Sequence, residues 1–286
     1  MSTPSRYAVL GAQLVRSTDP VGRWRPTAVG ADIESERAVT INERAPEGDR
    51  DYAAVADRLA MPLDEAMLTQ RAVRKVLPDP VDDDIVLRCI ELALKAPTGS
   101  NGQNWEFLVV KDPAVKAAFA RRYRSAWRIY GGIGERVTNN DPAMKKVLGA
   151  VEWQVQHFEE IPVIVVPCLR SGARFAPFPA LAQSSHYGSI YPSVQNLLLA
   201  ARAMGLGASL ITLPLWSVTM ARRTLGLPVN VQPICMVPLG WPRGRYGTTT
   251  RKPVGDVVHL DRFGQQPWRG VDRAATPGDD SDGDAR

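Results

Sequence analysis

The sequence predicts an α+β protein with helices arranged around a small sheet. Segments with helical periodicity outnumber those that read as strands. The two kinds also fail to alternate strictly, as a doubly wound nucleotide fold would require. And "GLGASL" (205–210), the nearest approach to a dinucleotide fingerprint, ends in Leu210 instead of glycine and follows a helix where the fingerprint must follow a strand. It reads as a helix C-cap. No internal repeat is present.

Residues 1–60 read as an irregular or disordered N-terminal extension, since charges, Pro and Gly are scattered there without a sustained period. One globular body is expected over 61–263, and an acidic, small-residue, disordered tail over 264–286. Within the body, "MPLDEAMLTQRAV" opens a helix with Leu63, Met67 and Leu68 on one side. A turn rich in Pro and Asp precedes a second helix, whose Asp82–Asp84 suit its N-terminus and whose Ile85, Val86, Cys89, Ile90, Leu92 and Ala93 form an apolar stripe. "WEFLVVKD" reads as a strand, and "DPAVKAAFARRYRSAW" as a helix after an Asp-Pro start. "IPVIVVPCL" is a buried strand, nearly continuous in β-branched residues. "SIYPSVQNLLLAARAMGLGA" is a helix with a glycine stop, and "PICMVPLGWP" a further strand.

Bulk properties narrow the function. No apolar run approaches the roughly 20 residues of a membrane span, and the first residues make a poor secretory signal, so the chain reads as cytoplasmic. Cys89, Cys168 and Cys235 stand far apart in apolar contexts, and the histidines are equally scattered. That pattern suits buried thiols and offers neither a disulfide framework nor a metal site. The net charge of +5 is spread, with a local cluster only in "ARRYRSAWR" (120–128), which reads as a solvated helix face; nucleic acid is a poor partner. No Walker motif, GxSxG elbow or protein nucleophile is evident.

Three features remain. "QRAVRKV" (70–76) places Arg71 and Arg74 on one face if the first helix continues, where two guanidiniums would clamp an anion. "APTGSNGQNWEFLVV" (96–110) inserts a run of small and polar residues between two core elements. "TTTRKPVGDVV" (248–258) brings Arg251 and Lys252 amid threonines. Each alone suits an ordinary helix end or surface loop.

Together, "RAVRKV", "APTGSNGQNWEFLVV", "QNLLLAARAMGLGAS" and "TRKPVGDVVH", in this order and spacing, resemble the FMN-dependent nitroreductase family over residues 61–262. The resemblance implies a small, mostly antiparallel sheet surrounded by helices, in an intertwined homodimer with FMN at the interface. It implies that Arg71 reaches the flavin phosphate or ribityl chain and that Arg74 sits at the N1–C2 edge. There a cation stabilises the charge of reduced flavin. The loop Pro97, Thr98, Gly99, Ser100, Asn101 and Gln103 would lie against the flavin from the partner, its small residues allowing close backbone approach. Leu210, Ile211, Thr212 and Leu213 match the stretch along the N5 edge, and Arg251 a phosphate-binding arginine.

The implied activity is ping-pong transfer of electrons from NADH or NADPH to an aromatic acceptor such as a nitro compound or quinone. Departures from the family pattern are Gln70, Ala72 and Asn104. The phosphate or ribityl bonds that the family draws from the first two positions are open to replacement by the threonines 248–250, Thr249 among them. Two alternatives stay open: a same-fold flavin enzyme of other chemistry (dehalogenation, flavin fragmentation, ring oxidation), and a non-catalytic flavin-binding protein. Trp127, Tyr130, Tyr187 and Tyr191 are candidates for the acceptor side, and equally for core or dimer contacts.

Overall fold

The computed structural model describes residues 57–137, 141–170 and 180–270. The expected extension and tail lie largely outside the described residues; of them, Asp57–Ala60 is a short 3-10 turn, and residues 264–270 fold back on the preceding segment, with Leu260 N–H on Gln265 O at 2.8 Å and Gln266 Nε2 on Asp256 O at 2.8 Å. Six helices are described: α1 Leu63–Thr69, α2 Asp83–Ala93, α3 Pro113–Val137, α4 Pro142–Gln156, α5 Ala180–Ala203 and α6 Val218–Leu225. The strands are β1 Trp105–Val110, β2 Val163–Arg170, β3 Gly207–Ala208, β4 Val231–Pro233 and β5 Val237–Gly240. They form one sheet of order β1-β2-β5-β3, with β4 also on β2 and every ladder antiparallel. The expected α+β class, with helices around a small antiparallel sheet, is the observed one.

Strand β2 shows why "IPVIVVPCL" lacks alternation. Val163 through Leu169 are all buried, because both faces of the strand are covered. Val163 and Val165 point into a core shared with α2 (Ile85, Cys89) and α5 (Val194, Leu197). Ile164, Val166 and Cys168 point into a second core with Phe119 and Tyr123 of α3 and with Phe158. Each fully buried Val or Ile contributes roughly 1.5–3 kcal/mol, so this strand anchors the sheet.

Local chemistry fixes the helix ends. Asp82 caps α2 through the N–H of Asp84 at 3.0 Å, and Asp141 caps α4 through Ala143 at 2.9 Å with Pro142 next in line. The glycine stop of α5 is present: Gly205 takes φ +83 and Leu206 N–H bonds the Ala201 carbonyl at 2.8 Å.

Four expectations need correction. Helix α1 ends at Thr69, before the arginine pair. Helix α5 begins at Ala180, well before Ser189, and runs through Pro192. "PICMVPLGWP" (233–242) takes only its first residue from β4 and forms a strand, β5, only at Val237–Gly240, with Met236 before it pairing with Ile211. Helix α3 is amphipathic, with Phe119, Ala120, Tyr123, Ala126 and Trp127 buried, so the arginine cluster is solvated on one side only. Among the described residues, no helix is long and apolar enough to cross a membrane.

Candidate functional site

The arginine segment is extended, not helical. Gln70 leaves α1 at φ −67, ψ 124, and the backbone then docks beside β3. Val73 N–H donates to Ala208 O at 2.9 Å, Leu77 N–H to Trp241 O at 2.7 Å, and Lys75 O accepts from Arg243 N–H at 3.0 Å. Ala72 bridges Ala208, and Val76 bridges Pro242. Sheet hydrogen bonds and the burial of Val73 and Val76 outweigh one more turn of helix. Gly207 is what makes the fit: a Cβ there would stand 2.6 Å from Val73 Cγ1.

Arg71 and Arg74 consequently do not share a helical face. Arg71 is exposed and lies near Tyr246, whose phenol burial pushes up in pKa while Arg71 opposes. Arg74 is half-buried, and its Nε is shut off from solvent with no hydrogen-bond partner. Burial pulls its pKa below the ordinary arginine value, with the Tyr123 phenol opposing. It remains a cation. A buried guanidinium nitrogen left unpaired is costly.

Two further segments come to the same edge of the sheet. Beyond β3, Ile211 exchanges backbone bonds with Met236 at 2.9 and 2.8 Å and is buried, while Leu210 and Thr212 are exposed. Leu213 opens a 3-10 turn. Thr249 is tied to the end of α1 by two bonds to Leu68 O, from its N–H at 2.9 Å and its hydroxyl at 3.2 Å. Arg251, two residues on, is exposed, and donates from Nη1 to Thr250 O at 2.8 Å.

The polar loop stands elsewhere. Pro97 and residues 99–104 are exposed, Thr98 partly so. Its anchor is α5: Gly99 N–H donates to Ser189 Oγ at 3.1 Å, and Trp105 Nε1 to Ser189 O at 3.0 Å. Gln103 bonds within the loop, to Thr98 Oγ1 and Asn101 Oδ1. Ser100, Asn101 and Gln103 all take left-handed φ, at 53, 52 and 47 degrees. Three such residues in one exposed loop store strain of the kind found at ligand clamps. The glycines have a local reason instead: a Cβ on Gly99 would meet Ser185 Oγ at 3.1 Å, and one on Gly102 would meet Asn104 Nδ2 at 3.0 Å. Among the described residues, no hydrogen bond or ion pair joins this loop to Arg71, Arg74, Thr249 or Arg251.

A cavity of about 240 Å³ opens beside Thr212, walled by Tyr187, Tyr191, Leu215, Gln232 and Ile234. The tyrosine rings lie 6.0 Å apart, tilted by 31 degrees. Trp127 and Tyr130 are not among its walls; Trp127 is buried and bonded to Glu152, and Tyr130 is exposed. The cysteines are buried, with thiols pushed up to about 12 by desolvation, and so are inert as nucleophiles at neutral pH. Among the described residues, no three metal-ligating side chains come together.

Sequence reasoning missed Tyr123, Gln154 and Ser209, each no more than 1% exposed. Tyr123 was legible in the spacing of Phe119, Ala120, Tyr123, Ala126 and Trp127, which the arginines between them obscure.

With the geometry in hand, the comparisons converge. The model of the "Nitroreductase family" matches residues 67–241. A Thermus thermophilus NADH dehydrogenase is 27% identical over 68% of this chain and 93% of its own length. An iodotyrosine deiodinase of Danio rerio is 25% identical over 68% of this chain and 65% of its own. Among solved structures, the NADPH:FMN oxidoreductase from Vibrio harveyi complexed with NAD+ superposes with TM-score 0.54 at 22% identity, over 70% of this chain and 77% of that one.

Proposed function

Because this chain belongs to the nitroreductase family, we propose that it is an FMN-dependent oxidoreductase passing electrons from NADH or NADPH to an aromatic acceptor such as a nitro compound or quinone. The observation that carries this reading is Arg74: a half-buried cation with an unpartnered Nε, set beside β3 where Ala72 and Val73 pair with Ala208. The residues present fit the cofactor. Arg71 and Arg251 would supply cationic donors for its phosphate, the Thr249 hydroxyl, whose proton goes to Leu68 O, would accept from the ribityl chain, and Ala72 would keep the segment thin. The backbone of Leu210, Ile211, Thr212 and Leu213 offers a flat edge for the ring.

Bound FMN would supply a two-electron carrier between a nicotinamide and a second substrate. The protein's own part is orientation and charge. Arg74 holds a positive charge where a ligand gains negative charge, in a setting of reduced dielectric that strengthens the effect. Tyr187, Tyr191 and Gln232 wall an aromatic-sized space beside Thr212, with hydroxyl and amide groups to orient a planar acceptor. The exposed, self-contained loop Pro97–Gln103 is assigned to the partner's site in a homodimer, since within one chain it is not bonded to the arginine edge.

The iodotyrosine deiodinase likeness supports a second reading, reductive dehalogenation of an aromatic on the same site. One experiment separates them. Purified protein is reconstituted with FMN, and NADH or NADPH oxidation is followed with a nitroaromatic, a quinone and a halogenated phenol in turn. Turnover with the first two supports the proposal, and turnover with only the third favours the second reading. Failure to take up FMN, or FMN that neither nicotinamide reduces anaerobically, contradicts both. Sedimentation with FMN should show a dimer, and a monomer with a complete site would overturn the loop assignment.

A further inference from the structure

The cavity beside Thr212 differs in kind from the arginine edge. Its walls come from α5 (Tyr187, Tyr191), the segment after β3 (Thr212), the start of α6 (Val218) and β4 (Gln232), closed by aliphatic side chains. None of these walls is ionised at neutral pH, and Arg71, Arg74, Thr249 and Arg251 are not among them. The backbone around the space is pinned. Leu215 N–H donates to Thr212 O at 2.8 Å, Ile234 N–H to Pro167 O at 2.9 Å, and Gln232 pairs with Leu169 in the β2–β4 ladder.

Charges close by in the fold are already engaged. Arg170 pairs with Val231, next to Gln232, and forms an ion pair with Glu106. Arg222 of α6 donates from Nη2 to Pro228 O at 2.7 Å. No aspartate or glutamate occurs between Glu160 and Asp256, the stretch from which every wall is drawn. Cys235, next to Ile234, is buried and its thiol is pushed up to about 12, so it stays neutral. An ionised ring substituent would leave water here and meet no counter-charge, which is costly. Uncharged substituents fare differently. Among the described residues, no hydrogen bond engages the hydroxyls of Tyr187, Tyr191 and Thr212 or the amide of Gln232, so all four can serve a ligand.

Size narrows the occupant further. The space of about 240 Å³ exceeds the ~150 Å³ that encloses benzene and falls short of the ~300 Å³ at which pockets for larger ligands begin. It takes one ring with small substituents. A ring held between Tyr187 and Tyr191 would need about 7 Å of separation. At 6.0 Å the two tyrosines form one continuous wall, on which a ligand ring stacks from one side.

We propose that this cavity selects an uncharged, single-ring aromatic bearing a hydrogen-bonding substituent, and rejects carboxylated and aminated rings of the same size. A neutral halogenated phenol would enter, and a zwitterionic amino acid would not. The binding claim concerns the cavity alone; its place as the acceptor side rests on the function proposed above.

Three redox-inert rings of similar size test it by calorimetric titration of FMN-loaded protein: benzamide, benzoate and benzylammonium. Benzamide is expected to bind at least about tenfold tighter than either ion. Gln232→Arg places a guanidinium in the wall and should tighten benzoate about tenfold, the size of one charge-assisted bond. If that variant fails to fold, Val218→Arg, at an exposed position, is held to the same result. Tyr191→Ala removes half of the aromatic wall and should weaken benzamide about tenfold. Equal binding of the three rings, benzoate indifferent to a wall arginine, or benzamide indifferent to Tyr191→Ala would each overturn the proposal. Turnover separates this claim from the proposed function. Nitrobenzene preferred over 4-nitrobenzoate, with the order reversed in Gln232→Arg, supports both. Benzamide binding as described without turnover of any nitroarene leaves the cavity standing and removes the proposed function. Turnover that shows neither the order nor its reversal removes the cavity. Should the protein take up no FMN, the same titrations on apo protein decide the cavity alone.

Discussion

Residues 71–77 and residues 97–103 are both polar interruptions of an apolar chain, yet the fold treats them in opposite ways. The first has its backbone engaged with the sheet at Val73, Lys75 and Leu77, and leaves a side-chain nitrogen, Arg74 Nε, buried without a partner. The second satisfies its side chains internally, through Gln103, Asn101 and Thr98, and is strained in its exposed backbone at Ser100, Asn101 and Gln103. One region is a rigid edge with an unfilled charge, and the other an exposed clamp with a preset shape. The dimer proposal has a second copy of the chain bring the two together, since among the described residues no hydrogen bond or ion pair joins them within one chain.

Four substitutions sharpen or break this contrast, taken from the largest expected effect down. Arg74→Ala removes the unfilled charge, and NAD(P)H turnover should fall about a hundredfold, the usual cost of losing one preorganised electrostatic group; steady-state kinetics with saturating FMN check this. Arg251→Ala should weaken FMN binding about tenfold, as loss of a charge-assisted bond does, while leaving kcat at saturating FMN nearly unchanged; fluorescence titration of FMN reads it. If these two effects exchange places, the division between the charged edge and the phosphate end is wrong.

Gly207→Val drives a side chain into Val73 and should cost about 1–3 kcal/mol by urea unfolding, the range for overpacking. A neutral result would mean that segment 71–74 does not press on β3 as described. Ser100→Gly should raise stability by about 0.5 kcal/mol by relieving the left-handed backbone, while FMN affinity falls as the clamp loses its preset shape. A loss of stability instead would remove strain as the property that shapes the loop.

Much of this was legible in the residues. The continuous apolar run of β2 announced a strand covered on both faces, and Gly205 announced the end of α5. Of the segments the resemblance names, 71–74 runs beside β3, 210–213 follows β3, and Thr249 is tied to Leu68 at the end of α1. What local pattern could not show was the conformation of the arginine segment. Its spacing of three suits a helix, and only the open edge of β3, a long-range feature, turns it into a strand. The same limit hid Tyr123, Gln154 and Ser209, whose pairing joins three separate elements. It also misled the reading of the loop glycines, because Ser185 and Asn104 become their neighbours only after folding.

The most direct test of the role given to Arg74 is the two-electron midpoint potential of bound FMN in wild type and in Arg74→Ala, measured anaerobically on protein that retains the cofactor. Arg74→Ala is predicted still to bind FMN, with a potential below the wild-type value, because the charge that stabilises the added electrons is gone. Equal potentials, or a variant that simply loses FMN, would contradict the role assigned to Arg74.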